Sequence, residues 1–261
     1  MKTFNRMTTL LALISGMALN GFAAESRKQI STSTVIGNNV ITHFASGLFW
    51  KTSITLVNLD TVAAPYTLKF YGDDGAAKAF EFQGLGTMST VTGTLAVGGS
   101  VVIESVPGTV AIETGWVYLD SPNEVSGAAV FRSRPVGQPE QEATVPIESN
   151  INQKVILAFD NSQGYVMGVA LVNAHSDATA TVTATFHDTD GAVIFTDTLT
   201  LTARQHVAYV MPQQWPASAN RRGTVEFTTT DFRTGIAVLG LRFTPDQSFT
   251  SFHALYSAFA Q

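Results

Sequence analysis

Residues 52–75 read TSITLVNLDTVAAPYTLKFYGDDG, and residues 167–191 read MGVALVNAHSDATATVTATFHDTDG. Each stretch opens with an apolar run that closes on Leu-Val-Asn (Leu56, Val57, Asn58; Leu171, Val172, Asn173) and passes through a loop rich in Asp, Ala and Thr. Each then returns as an alternating strand that ends in an acidic turn with glycine. Alternation with a period of two sends successive side chains to opposite faces, so each stretch predicts a hairpin of β-strands. The hairpin is written twice, which points to an internal duplication of an all-β unit.

Outward from the two hairpins the pattern continues. From Ile41 onward, short runs rich in Val, Ile, Thr, Phe and Tyr are punctuated by Gly, Pro, Asn and Asp, the signal of a sandwich or barrel. Strands are expected at 41–45, 51–58, 64–71, 79–83, 100–104, 111–120 and 125–132, then at 154–160, 168–173, 180–187, 193–200, 206–211, 223–229 and 234–244. Seven strands in each half is what an immunoglobulin-like antiparallel β-sandwich requires, and no window holds a helical period. Further echoes extend the repeat: Gly115-Trp116-Val117 answers Gly223-Thr224-Val225, and Val130-Phe131-Arg132 answers Gly240-Leu241-Arg242. The interval from Asn58 to Arg132 exceeds that from Asn173 to Arg242, and the surplus is expected in the glycine-rich loop 83–93. Between the copies, residues 133–153 carry three prolines and read as a semi-rigid crossover, with 142–147 as a further strand.

The N-terminus has the layout of an export signal. Lys2 and Arg6 precede the apolar run 7–19, and Gly21-Phe22-Ala23 supplies a small-x-small cleavage site. That run is shorter than the roughly 20 residues of a membrane span, so no span is expected after cleavage and the product is expected in the periplasm, outside the cell or at its surface. The division expected is 1–23 signal peptide, 24–40 N-terminal extension, 41–148 first β-sandwich and 149–261 second. The chain has no cysteine, so packed sheets rather than disulfides must hold it together, and thiol catalysis is excluded. A net charge of −5 without basic runs argues against nucleic acid, whose binding rests on neutralised phosphates.

The run from Val57-Asn58 to Tyr71 and Asp74-Gly75, followed by a GG turn, the Gly115-Trp116 strand and the Val130-Phe131-Arg132 strand, resembles a known type of module. It is similar to the tandem immunoglobulin- or fibronectin-like β-sandwich modules of many uncharacterised bacterial secreted proteins. The resemblance covers about residues 41–259 and implies a secreted binding or structural protein. It transfers no active site, since its motifs are structural.

Motifs of chemistry are few. The chain has no G-x-S-x-G, S-x-x-K or H-E-x-x-H pattern and no phosphate-binding glycine loop. His43, His175, His187, His206 and His253 are scattered singly and read as isolated loop and strand-face residues. The turn Asp188-Thr189-Asp190-Gly191 presents alternate carboxylates like the opening of a calcium loop, and Asp73-Asp74 stands at the matching place. The competing reading is a plain hairpin turn, because Ala192-Val193-Ile194-Phe195 supplies none of the later oxygen ligands. Arg132 and Arg242 close equivalent strands and suit an acidic ligand; as structural residues they would pair with a carboxylate or lie over a ring. Trp50 and Trp215, in predicted loops, would form a sugar-stacking platform together with Phe44, Phe49, Tyr165 and Phe249, whereas Trp116 reads as core.

The expected function is therefore that of a non-enzymatic secreted or cell-surface protein, with no cofactor. It would bind another protein or an extracellular polysaccharide, with homo-oligomers forming through edge strands. The alternative is a carbohydrate-binding accessory module, and a third is an outer-membrane β-barrel.

Overall fold

The computed structural model describes residues 39–108, 111–149, 151–230 and 235–256. The expected signal peptide, nearly all of the expected extension, and the C-terminal residues beyond Tyr256 lie outside the described residues.

The chain is all-β and antiparallel. Its first half contains β1 (Val40–Ser46), β2 (Trp50–Asn58), β3 (Ala64–Tyr71), β4 (Phe80–Phe82), β5 (Gly86–Met88), β6 (Thr90–Leu95), β7 (Ser100–Glu104), β8 (Glu113–Asp120), β9 (Val125–Ser133) and β10 (Gln141–Pro146). The second contains β11 (Lys154–Asp160), β12 (Val166–Asn173), β13 (Ala180–His187), β14 (Val193–Leu201), β15 (His206–Val210), β16 (Arg222–Thr229), β17 (Ile236–Phe243), β18 (Phe249–His253) and β19 (Leu255–Tyr256). A single helical turn, α1 (Met211–Gln214), follows β15, and a 3-10 turn at Pro216–Ser218 follows it. Among the described residues no helix is long and apolar enough to cross a membrane.

In the first half a sheet of order β1-β8-β3-β6 lies against one of order β10-β9-β2-β7. Ile41, Leu68, Phe70 and Val117 of the one meet Ile54, Leu56, Ala129 and Phe131 of the other in a shared core. In the second half the orders are β14-β13-β16-β11-β19 and β15-β12-β17-β18, and Leu157, Phe186 and Val225 meet Leu171, Ile236 and Val238. Among the described residues these are open, sandwich-like sheets with edges, and none closes into a barrel. The layout departs from the immunoglobulin order, in which the first two strands lie in one sheet. Here β1 pairs with β8, and β2 lies across the sandwich between β7 and β9.

Two local devices fix these strands, and each occurs in both halves. The Asn58 amide donates to the carbonyls of Val62, Leu95 and Ala96, while its Oδ1 accepts from the Asp60 N–H. The Asn173 amide donates to Ala178, Leu201 and Thr202, and its Oδ1 accepts from the His175 N–H. The closing residue of Leu-Val-Asn thus ties two loops together at one end of each sandwich. Gly115 and Gly223 are the second device: a Cβ there would lie 2.1 Å from the Tyr71 carbonyl oxygen and 1.9 Å from that of His187. Only glycine lets β8 pass β3, and β16 pass β13, that closely.

The surplus of the first half is the β4–β5 hairpin, and most of the expected loop 83–93 is strand: β5 and the start of β6. In the second half the turn after β13 leads directly to β14.

The halves differ most where they meet. β12 and β17 are buried on both faces, which explains the unbroken apolar runs in their sequences. Ala170, Leu239, Leu241 and Phe249 join the core of the first sandwich, and Val172, Ala174 and Ala237 pack with Val40 and Trp116. β2 and β9 instead alternate, and their outer face carries Lys51, Ser53 and Arg132 around Glu104. The junction also covers two sheet edges of the first sandwich. β1 is buried throughout, and β10 lies against β18, where the Ser251 hydroxyl donates to the Thr144 carbonyl at 2.6 Å.

Candidate functional site

The loops at the end of the second sandwich opposite Asn173 enclose an open cleft of about 480 Å³, lined by Ser162, Gln163, Asp188, Thr189, Asn220, Arg221 and Arg222. Each wall is held in place. The buried Asn161 accepts the Met167 N–H at 2.7 Å through its Oδ1, its own N–H donates to the Arg221 carbonyl, and its amide donates to Ser218. That residue links the loop after β11 to the segment before β16. Gln163 and Asn220, both in the lining, take the left-handed region, at φ 53° and 59°. Non-glycine residues take this conformation at a cost, and such positions gather at functional loops.

Asp160 organises the charge behind the cleft. Its carboxylate accepts from the Ser162 N–H at 3.0 Å, the Ser162 hydroxyl at 2.7 Å and the Arg222 Nε at 3.1 Å, with Arg242 at 3.8 Å. Burial opposes its ionisation, but the Ser162 bonds and the Arg222 guanidinium outweigh that and hold the carboxyl below the usual range. Arg222 is thus anchored through Nε, and Arg221, also exposed, stands beside it on the rim. Two guanidinium groups among amides, hydroxyls and the Asp188 carboxylate are suited to a hydroxyl-rich or anionic ligand.

Several expected site residues are placed differently by the structure. Trp50 and Trp215 are not on the surface: they are 7% and 2% exposed. Trp50 starts β2 and packs against Phe249 at 5.1 Å between ring centroids, while Trp215 packs among Phe186, Tyr209 and Phe227 and donates its indole N–H to Asp197. The expected stacking platform is corrected accordingly, because apolar ring faces here are consumed by the cores. Phe44 is also core, paired with Phe70 and Phe80.

Arg132 and Arg242 are not equivalent. Arg132 lies opposite Lys51 and Arg242 opposite Met167, which are one residue out of step when counted from Asn58 and Asn173. A one-residue step reverses the face. Arg132 therefore sits outside, paired with Glu142 at 2.6 Å and Glu104 at 3.4 Å, while Arg242 lies over Tyr165 and Phe252.

The acidic turns behave as turns. Asp188 Oδ1 accepts the N–H groups of Asp190 and Ala192, Gly191 takes φ 83°, and Asp74 Oδ1 accepts the Ala76 N–H. Among the described residues no three His, Cys, Asp or Glu side chains are grouped to hold a metal ion. Asp188 lines the cleft, Asp190 does not, and Asp73 has a different neighbour altogether.

That neighbour is His206, and the histidines are not all isolated. His43 Nδ1 lies 3.0 Å from His206 Nε2, and His206 Nδ1 lies 2.7 Å from Asp73 Oδ1, whose other oxygen accepts the Thr114 hydroxyl at 2.8 Å. The chain crosses the junction from β1 to β15 and on to the turn after β3, and burial is the main reason that the His43 imidazole is pulled down to about 3. A separation of 163 residues left no local signal for this contact. Beside it, the turn at Gly75 approaches so closely that a Cβ would stand 2.6 Å from the Ala203 carbonyl oxygen.

Comparison of the chain with protein-family models, with curated proteins and with solved structures finds no match in any of the three.

Proposed function

We propose that this chain is a non-enzymatic binding or structural protein, secreted or displayed at the cell surface. On this reading it is built from two copies of an immunoglobulin-related sandwich and engages a protein or an extracellular polymer through the loops of the second copy. The copies are supported by the position-for-position match of β1-β8-β3-β6 with β11-β16-β13-β14, and of β10-β9-β2-β7 with β18-β17-β12-β15, and by the matched bonding of Asn58 and Asn173. Relative to the immunoglobulin plan, the strands that flank the common core have exchanged sheets.

The observation that carries the binding reading is the arginine-rimmed cleft, whose walls are fixed by Asn161 and Asp160 rather than left mobile. Binding loops held by a rigid scaffold are the usual way a sandwich presents a ligand site. The carbohydrate-accessory reading ranks below it, since it drew on exposed tryptophan and these side chains are buried.

The test is an array of glycans, cell-wall polymers and surface proteins probed with the full chain, with and without calcium, beside an Arg221→Ala, Arg222→Ala double variant. Binding that the double variant loses while retaining its unfolding midpoint supports the reading. Binding that survives the double change moves the site elsewhere, and a blank array leaves a structural role.

A further inference from the structure

We propose that the His43–His206–Asp73 chain makes the junction between the two sandwiches a proton-responsive joint, closed with at most one added proton on the two imidazoles and released by the second. The order of protons follows from the acceptor at its end. An ionised carboxylate only accepts, so Nδ1 of His206 must donate to Asp73. In the neutral ring, Nε2 of His206 is then the acceptor, and Nδ1 of His43 donates to it across 3.0 Å.

One added proton fits this geometry. A doubly protonated His206 donates to Asp73 on one side and to His43 on the other, and His43 moves its own proton to Nε2. A second added proton does not fit. Both facing nitrogens would then carry hydrogen, and the donor pair would be driven apart. The charge would also be placed on an imidazole that burial already holds neutral.

The groups that face His43 are His206 from β15, Asp73 from the turn after β3, and the Phe131 ring from β9, edge-on at 5.6 Å. β12 and β17 present Ala170 and Leu239 to the first sandwich, so they contribute no charge that could compensate. The other titratable groups around the junction are Arg204 over Tyr71, the His175–Asp177 pair after β12, and Glu148 facing His253 beside the crossover. Glu148 responds in the opposite sense, because burial raises it and acid therefore favours its closed form. Acid accordingly loosens the His43 side of the joint and not the crossover side.

The sign and size follow by linkage. An opened junction binds a proton at His43 with the ordinary histidine value of about 6.5, and the closed one does not. Below that value the closed form loses ground against the open form at a rate approaching tenfold for each pH unit, or about 50-fold between pH 6.5 and 4.5.

The tryptophans supply the readout. The Trp116 indole N–H donates to the Arg204 carbonyl across the junction at 2.8 Å, whereas that of Trp215 donates to Asp197 within the second sandwich. In the full chain labelled with nitrogen-15 tryptophan, indole hydrogen exchange is followed from pH 7.5 to 4.5 and normalised to free tryptophan. The expected result is that Trp116 opening rises about 90-fold from pH 7.5 to 4.5, almost all of it below pH 6.5, while Trp215 stays level. In His43→Phe the rise should vanish. If that variant does not fold, Asp73→Asn takes its place and should open at higher pH, since the one-proton state loses its counter-charge. A pH-independent Trp116, loss of Trp116 and Trp215 protection together, or a variant that keeps the wild-type profile would each overturn the proposal.

Discussion

The indole nitrogen of Trp116 lies 2.8 Å from the carbonyl oxygen of Arg204, with the ring fully buried and stacked on Tyr71 at 4.7 Å. This hydrogen bond is one of several that join the two sandwiches, and it lies inside an apolar contact. Trp116→Phe keeps the stacking surface and leaves the Arg204 carbonyl without this donor. The expected cost is about 1–2 kcal/mol in urea unfolding. An unchanged midpoint would mean that water replaces the indole.

Asn58 and Asn173 make the same set of loop bonds in the two halves. Asn→Ala at either position orphans buried carbonyls and should cost roughly 2–4 kcal/mol, while Asn→Asp should be no better, since a carboxylate would face those oxygens without a donor. Thermal unfolding of the two aspartate variants decides the matter. Aspartate as stable as asparagine would show that the amide donors contribute little.

At Gly115 and Gly223 an added methyl group meets a backbone oxygen at 2.1 and 1.9 Å. Backbone cannot rotate aside as a side chain can, so Gly115→Ala or Gly223→Ala should destabilise by about 2 kcal/mol or more. Alanine at a distant exposed glycine such as Gly137, where nothing lies within 4 Å, tests clash less cleanly because its φ is 79°. Gly108, with open space and no positive φ, is the better control and should tolerate alanine.

Glu148 provides a pH test of opposite sign to His43. Burial raises its carboxyl above the ordinary range, against the pull of His253 and the Tyr256 hydroxyl. A raised folded value means that the contribution is complete below the unfolded pKa and is lost as pH climbs through the folded one. Glu148→Gln should therefore gain stability relative to wild type as pH rises from 4 to 8. Chemical denaturation at the two pH values measures it, and a relative gain on acidification instead would contradict the assignment.

How far the sequence carried the fold depends on which faces each strand buries. β3, β7, β11 and β13 lie where alternation placed them, because one face is core and the other is wet. β6 is hidden in the sequence because Gly93 and the nearby Gly98-Gly99 pair look like a loop. Gly93 lies under the Tyr66 ring, where a Cβ would be 2.6 Å from the phenolic oxygen, so the glycine marks packing rather than a turn. β18 lies beyond the last expected strand, yet its Phe249 is buried against Trp50 and Phe243. The junction chain was illegible for a different reason. His43 and His206 meet only where the two halves pack together, and no periodicity within either half encodes that.

The unequal outer faces of β2/β9 and β12/β17 also set an order in time. Synthesis runs from the N-terminus, so the sandwich with the polar β2/β9 face is completed first, with the Val40 and Trp116 side still to be covered. The apolar face carried by Ala170, Val172, Ala237 and Leu239 emerges last, when the surface that covers it already exists. Reversing the two halves in the gene would present that adhesive face without a cover for the whole time needed to make its partner, so the arrangement along the chain is itself a safeguard against aggregation.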